Sequence, residues 1–79
     1  MALLHKNAFQ RVDKNRNTIH KPVPAVYTIF SEDNETYFQV DTYGSVDRIT
    51  PEKVSQSLQI NKEMAIVLVD LLRKEFNLN

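Results

Sequence analysis

Three aromatic residues, Phe30, Tyr37 and Tyr43, sit on strand-like segments at positions that share one sheet face with Thr28 and Gln39. Rings arranged in this way need no catalytic group to be useful, because a flat aromatic surface stacks unpaired bases whatever their sequence. Lys6, Arg11, Lys14, Arg16 and Lys21, with Arg48 and Lys53 further along, are the matching candidates for phosphate contacts. Asp41 shares the aromatic face and opposes such a use, since it would repel a nucleic-acid backbone.

Other chemistries find little support. The only histidines are His5 and His20 and there is no cysteine, so no imidazole or thiolate set stands at metal-binding spacing. Asp41, Asp47 and Glu52 resemble the carboxylates of a magnesium-dependent nuclease. The companion lysine two residues beyond an acidic strand residue is missing, because Lys53 follows Glu52 directly. One glycine cannot build a Gly-rich phosphate cradle, and no nucleophile elbow is present. The expectation is a binder without catalytic residues, metal or cofactor, not an enzyme.

A chain of 79 residues makes one domain, and a domain of that size buries only about 60 to 65% of its unfolded surface. Such a core gains from a partner or a second copy. The absence of cysteine and the lack of a continuous apolar start or span point to a soluble cytoplasmic protein with no membrane segment. Net charge is zero, yet it is unevenly spread. Residues 1–25 hold five basic residues against Asp13, an excess of four positive charges. Residues 26–52 hold six acidic residues against Arg48, an excess of five negative. A basic arm of this kind reaches for phosphate or an acidic partner, or folds back on the acidic middle of its own chain.

The elements that must position these residues follow from periodicity. Residues 1–25 form a basic arm closed by Lys21-Pro22-Val23-Pro24, where two prolines bar a helix. Short strand-like runs at 8–12 and 18–20 flank a turn at 15–17. Residues 26–79 form the compact part. Strands at 26–30 and 36–43 flank Ser31-Glu32-Asp33-Asn34-Glu35. A two-residue turn at Asp33-Asn34 would pair Ile29 with Phe38 and Tyr27 with Val40, placing these four on the buried face. Gly44 marks the end of the second strand, by a bulge or a positive φ. A third strand runs from Val54 to Ile60, Asn61 caps a helix, and Lys62 to Phe76 form it. Its core side is Met64, Ala65, Leu68, Val69, Leu71, Leu72 and Phe76, while Ile66 and Val67 lie at or near the polar side as a candidate dimer contact. The fold class is therefore α+β, an antiparallel sheet of three to four strands covered by one C-terminal helix in the order β-β-β-α.

With that order in view, Ser57-Leu58-Gln59-Ile60-Asn61-Lys62-Glu63 and the closing Leu71-Leu72-Arg73-Lys74-Glu75-Phe76 resemble the positive-cofactor-four-like transcriptional coactivator family. The resemblance implies a curved antiparallel sheet, dimerisation through the helix and single-stranded DNA held against the sheet near a basic arm. This chain departs from that pattern in its acidic hairpin.

Two functions follow. One is a non-enzymatic, transcription-related binder of nucleic acid, preferring single strands, that stacks bases on Phe30, Tyr37 and Tyr43. The other is a protein-interaction module, such as a small phage or mobile-element protein, that modulates a larger partner through Glu32, Asp33, Glu35, Asp41 and Asp47 or through the Ile66 and Val67 patch.

Overall fold

A computed structural model of the chain describes residues 1–44 and 53–79. Its elements are β1 (Ala2–Leu3), a 3-10 turn at Lys6–Ala8, β2 (Ala25–Glu32), β3 (Glu35–Tyr43), β4 (Val54–Ile60) and α1 (Lys62–Glu75). The class is α+β, a single four-stranded sheet with one C-terminal helix. Sheet order is β1-β4-β3-β2. No helix among the described residues is long and apolar enough to cross a membrane.

The hairpin forms as its turn chemistry dictates. Asp33 and Asn34 take φ of 52° and 66°, the left-handed pair that a type I′ turn requires and that Asp and Asn tolerate. The register that follows pairs Ile29 with Phe38 and Tyr27 with Val40, as the two-residue turn implies. Both strands run further toward the turn than alternation alone suggests, to the Glu32–Glu35 pair. At the far end the Tyr43 amide donates to the Pro24 carbonyl at 3.0 Å. The irregularity expected at Gly44 falls between Thr42 and Tyr43, and Gly44 takes no positive φ.

Helix α1 begins where Asn61 caps it, its Oδ1 accepting the Met64 amide at 3.0 Å. It ends at Phe76, with Asn77 left-handed at φ 55° and the Leu78 amide donating to the Arg73 carbonyl at 2.9 Å. That is a Schellman closure with asparagine in the position glycine usually holds.

Three expectations are corrected. First, the sheet is mixed. Ala2 and Leu3 lie parallel to β4 opposite Leu58 and Gln59, and the Leu4 amide donates to the Gln59 carbonyl at 2.9 Å. A two-residue strand leaves no periodic trace, but it satisfies backbone groups on an otherwise open edge of β4. Second, the runs at 8–12 and 18–20 are not strands. The His5 ring instead accepts the Asn7 amide at 3.1 Å to start the 3-10 turn, and the Asn17 side chain donates to the Lys14 carbonyl at 3.2 Å. These local bonds compete with ladder pairing.

Third, the helix does not bury the face bearing Tyr27, Ile29, Phe38 and Val40. Met64 is the only fully buried apolar side chain among the described residues. Ala65 and Leu68 are half-buried, while Val69, Leu71, Leu72 and Phe76 are exposed. A helix of 14 residues is about 21 Å long, and it leaves directly from the end of β4, so it cannot overlay three strands along their length. The shortfall is measurable. The chain exposes 7347 Å², whereas a compact monomer of 9.2 kDa exposes about 4,900 Å². Its radius of gyration is 14.9 Å, against about 12 Å for a compact chain of this length. The exposed, irregular run 9–24, with Phe9, Val12, Ile19 and Val23 open, contributes to this excess, and so does the open sheet face.

Candidate functional site

The two faces of the sheet differ in kind, because the register sorts their residues. One face carries Val26, Thr28, Phe30 and Glu32 from β2 and Glu35, Tyr37, Gln39, Asp41 and Tyr43 from β3, joined by Ser57 and Gln59 from β4 opposite Asp41 and Gln39. This is the face anticipated for stacking. Phe30 and Tyr37 are half-buried and stack on each other, with ring centroids 5.4 Å apart and planes 22° apart. Each ring thus already covers part of the other. Tyr43 lies on the same face, half-buried, beyond the irregularity at the end of β3.

Polar groups at the centre of this face are joined in a relay. Gln59 Nε2 donates to Gln39 Oε1 at 2.7 Å, and Gln39 Nε2 donates to the Asp41 carboxylate at 2.9 and 3.2 Å. The Ser57 hydroxyl donates to the same carboxylate, and Ser57 is only 5% exposed. Asp41 therefore serves as an acceptor inside the sheet, held by charge-assisted hydrogen bonds. Nothing in sequence periodicity marks Ser57 and Gln59 for this role. The signal that finds them is the cross-strand register, once β3 and β4 are paired.

Negative charge gathers at the hairpin end. The Tyr37 hydroxyl donates to Glu35 Oε2 at 3.2 Å. Partial desolvation, then the Glu35 charge and hydrogen bond, then Glu32 and Asp33, push the Tyr37 phenol above its ordinary value. The field around this ring is the reverse of what a phosphate would seek.

The basic candidates are dispersed. Lys6 Nζ lies 3.1 Å from Glu63, and Arg11 bridges Asp13 at 3.0 Å and Glu75 at 3.5 Å. These exposed pairs are weak individually, yet together they lay residues 6–11 along the helix instead of across the sheet. Lys14, Arg16, Lys21 and Lys53 are exposed and make no ion pair among the described residues. Arg48, with Asp47 and Glu52, lies outside the described residues. Among the described residues no cation–π contact joins a basic group to Phe30, Tyr37 or Tyr43, and no cluster of three or more His, Asp or Glu side chains could hold a metal ion.

The opposite face carries Ala25, Tyr27, Ile29 and Ser31 from β2, Thr36, Phe38, Val40 and Thr42 from β3, and Gln56, Leu58 and Ile60 from β4. None of these residues is charged. Tyr27 is 68% exposed, Ile29 62% and Leu58 47%. Tyr27 and Phe38 stack at 5.4 Å and 19°, and the Ser31 and Thr36 hydroxyls lie 3.3 Å apart at the turn end. Leu58 is flanked by β1 and β3, so its exposure lies in the interior of the sheet and not at an edge.

On the helix, Ile66 is 61% exposed and Val67 half-buried. Both line a groove with Phe9, Arg11 and Leu71, so the N-terminal segment already occupies one side of the anticipated dimer patch. No protein-family model matches the chain, and no curated protein and no solved structure matches it.

Proposed function

We propose that this chain is a small non-enzymatic protein-interaction module whose docking surface is the uncharged sheet face. The observation that supports this best is the open Leu58, flanked by Ala2 and Val40, on the same face as the open Tyr27 and Ile29 of the edge strand β2, with no second layer over them among the described residues. A sheet needs such a layer, and an exposed apolar patch of this kind marks a contact with another macromolecule. Soluble, cytoplasmic placement goes with this reading.

A second reading is the binding of single-stranded nucleic acid. It is favoured by the shared face of Phe30, Tyr37 and Tyr43 and by Lys14, Arg16 and Lys21, which stand outside the ion pairs among the described residues. It also draws on the resemblance to the positive-cofactor-four-like coactivators, with residues 1–25 as the extended basic arm. Against it stand Asp41 at the centre of that face and the carboxylates around Tyr37.

A fluorescence-anisotropy titration with single-stranded DNA, duplex DNA and single-stranded RNA at two salt concentrations separates the two readings. The interaction module binds none of them in a salt-sensitive way. Salt-sensitive preference for single strands, weakened by roughly 1 to 3 kcal/mol in Tyr37→Ala, would replace it with the nucleic-acid reading.

A further inference from the structure

We infer that the uncharged sheet face is where two copies of this chain meet, packed face to face about a two-fold axis. The inference rests on the interaction-module reading and names the partner.

Area and continuity come first. Tyr27, Ile29, Phe38 and Leu58 are contiguous across three strands, and together they leave on the order of 450 Å² open. That already reaches the range of the largest apolar patch on an ordinary monomer, about 300 to 600 Å². Val40, Thr42, Gln56 and Ile60 around them extend the surface toward the roughly 800 Å² that each partner gives to a stable complex.

Charge then selects the occupant. A two-fold contact is isologous, so the surface must complement itself. The uncharged face meets its own copy with no carboxylate to repel, and Lys62 borders it only at the cleft beside Thr36, Phe38 and Ile60. The opposite face would set Glu32, Glu35 and Asp41 against the same carboxylates of the partner. A basic or acidic partner finds nothing on the uncharged face to pair with. Residues 6–11 of the chain's own N-terminal segment are engaged elsewhere, tied to Glu63 and Glu75 with Phe9 in the groove beside Ile66. Two such faces at the usual sheet-to-sheet spacing of about 10 Å form one shared core, with Leu58 and Val40 near its middle.

The test uses the full chain, which has no cysteine. Single-cysteine variants are treated with a bismaleimide of about 10 Å reach, matched to the sheet spacing, while sedimentation velocity reports the mass. Val40→Cys is expected to yield a covalent dimer, and Thr28→Cys on the opposite face and Ile66→Cys on the helix to stay single. Leu58→Lys is expected to raise the dimer dissociation constant about 100-fold or more, with Val26→Lys on the opposite face leaving it unchanged. Should Leu58→Lys fail to fold, the cross-linking pattern decides alone. A dimer that cross-links at Ile66 and not at Val40 overturns the inference in favour of the helix. A monomer that binds no nucleic acid overturns the second copy and leaves the interaction-module reading in place, whereas a monomer that binds single strands overturns both.

Discussion

The two faces of one sheet are built from the same three strands by the same alternation, yet among the described residues only one of them has its central groups joined to one another. On the polar face Gln59, Gln39, Asp41 and Ser57 bond to one another and Phe30 covers Tyr37. On the other, Tyr27, Ile29 and Leu58 stay open. Hydrophobic patterning assigns residues to faces, but it does not supply the layer that covers a face. Where the described residues offer one 14-residue helix, the more apolar face is the one left outside.

The largest effect that would break this contrast is expected at Leu58→Ala. With the face covered by a second copy, the loss is about 2 to 5 kcal/mol and the unfolding midpoint in urea depends on protein concentration. A loss below about 1 kcal/mol with a concentration-independent midpoint would show a face open to water. Next comes Asp41→Ala, which leaves Ser57 and Gln39 without their acceptor and should cost about 1.5 to 3 kcal/mol in the same measurement. A neutral outcome would mean that the relay is not formed in solution. Asn34→Gly sharpens the comparison by tightening the turn that sets both faces, since glycine meets no Cβ penalty at φ 66°. It should leave stability equal or raise it by up to about 0.5 kcal/mol, and a clear destabilisation would argue against the type I′ turn.

The smallest effect is a titration. Because the Tyr37 phenol is raised, the neutral hydroxyl is the form that folding favours. Its contribution is therefore intact below the ordinary tyrosine value of about 10 and fades as pH rises through the raised one. Absorbance at the phenolate band should show one tyrosine ionising late, and Glu35→Gln should bring it earlier. An unchanged profile in that variant would remove the acidic field from the account of this face.

How much of this was legible in the sequence depends on the range of the interaction concerned. The Asp33-Asn34 turn, the Ile29–Phe38 register, β4 and the Asn61 cap all follow from neighbours a few residues apart, and they were readable. The parallel β1 was not, because Leu3 and Leu4 offer two apolar residues and no period. Burial does not follow from the pattern either. The helix wheel of Met64, Leu68 and Leu72 shows which side is apolar, but whether that side reaches the sheet depends on where the chain leaves β4. Of the site, the shared face of Phe30, Tyr37 and Tyr43 was legible, whereas the Ser57 and Gln59 relay needed the β3–β4 register. The dispersal of Lys6 and Arg11 onto Glu63 and Glu75 required the path of the N-terminal segment in space.

The parallel strand β1 also shapes the order of folding. Ala2 reaches Leu58 across a loop of more than fifty residues, and closing it costs about 3.5 kcal/mol in chain entropy beyond a constant term. Only a few backbone hydrogen bonds, each worth about 1 kcal/mol net, are returned. Such a strand docks after the hairpin and β4 have formed and is the first to fray, so its amides should exchange hydrogen well before those of β3. Each fraying event uncovers the outer edge of β4, a row of unpaired backbone groups beside exposed Leu58. The Ala2–Leu3 pairing thus covers one edge of the sheet only while it is docked, and β2 remains the other edge.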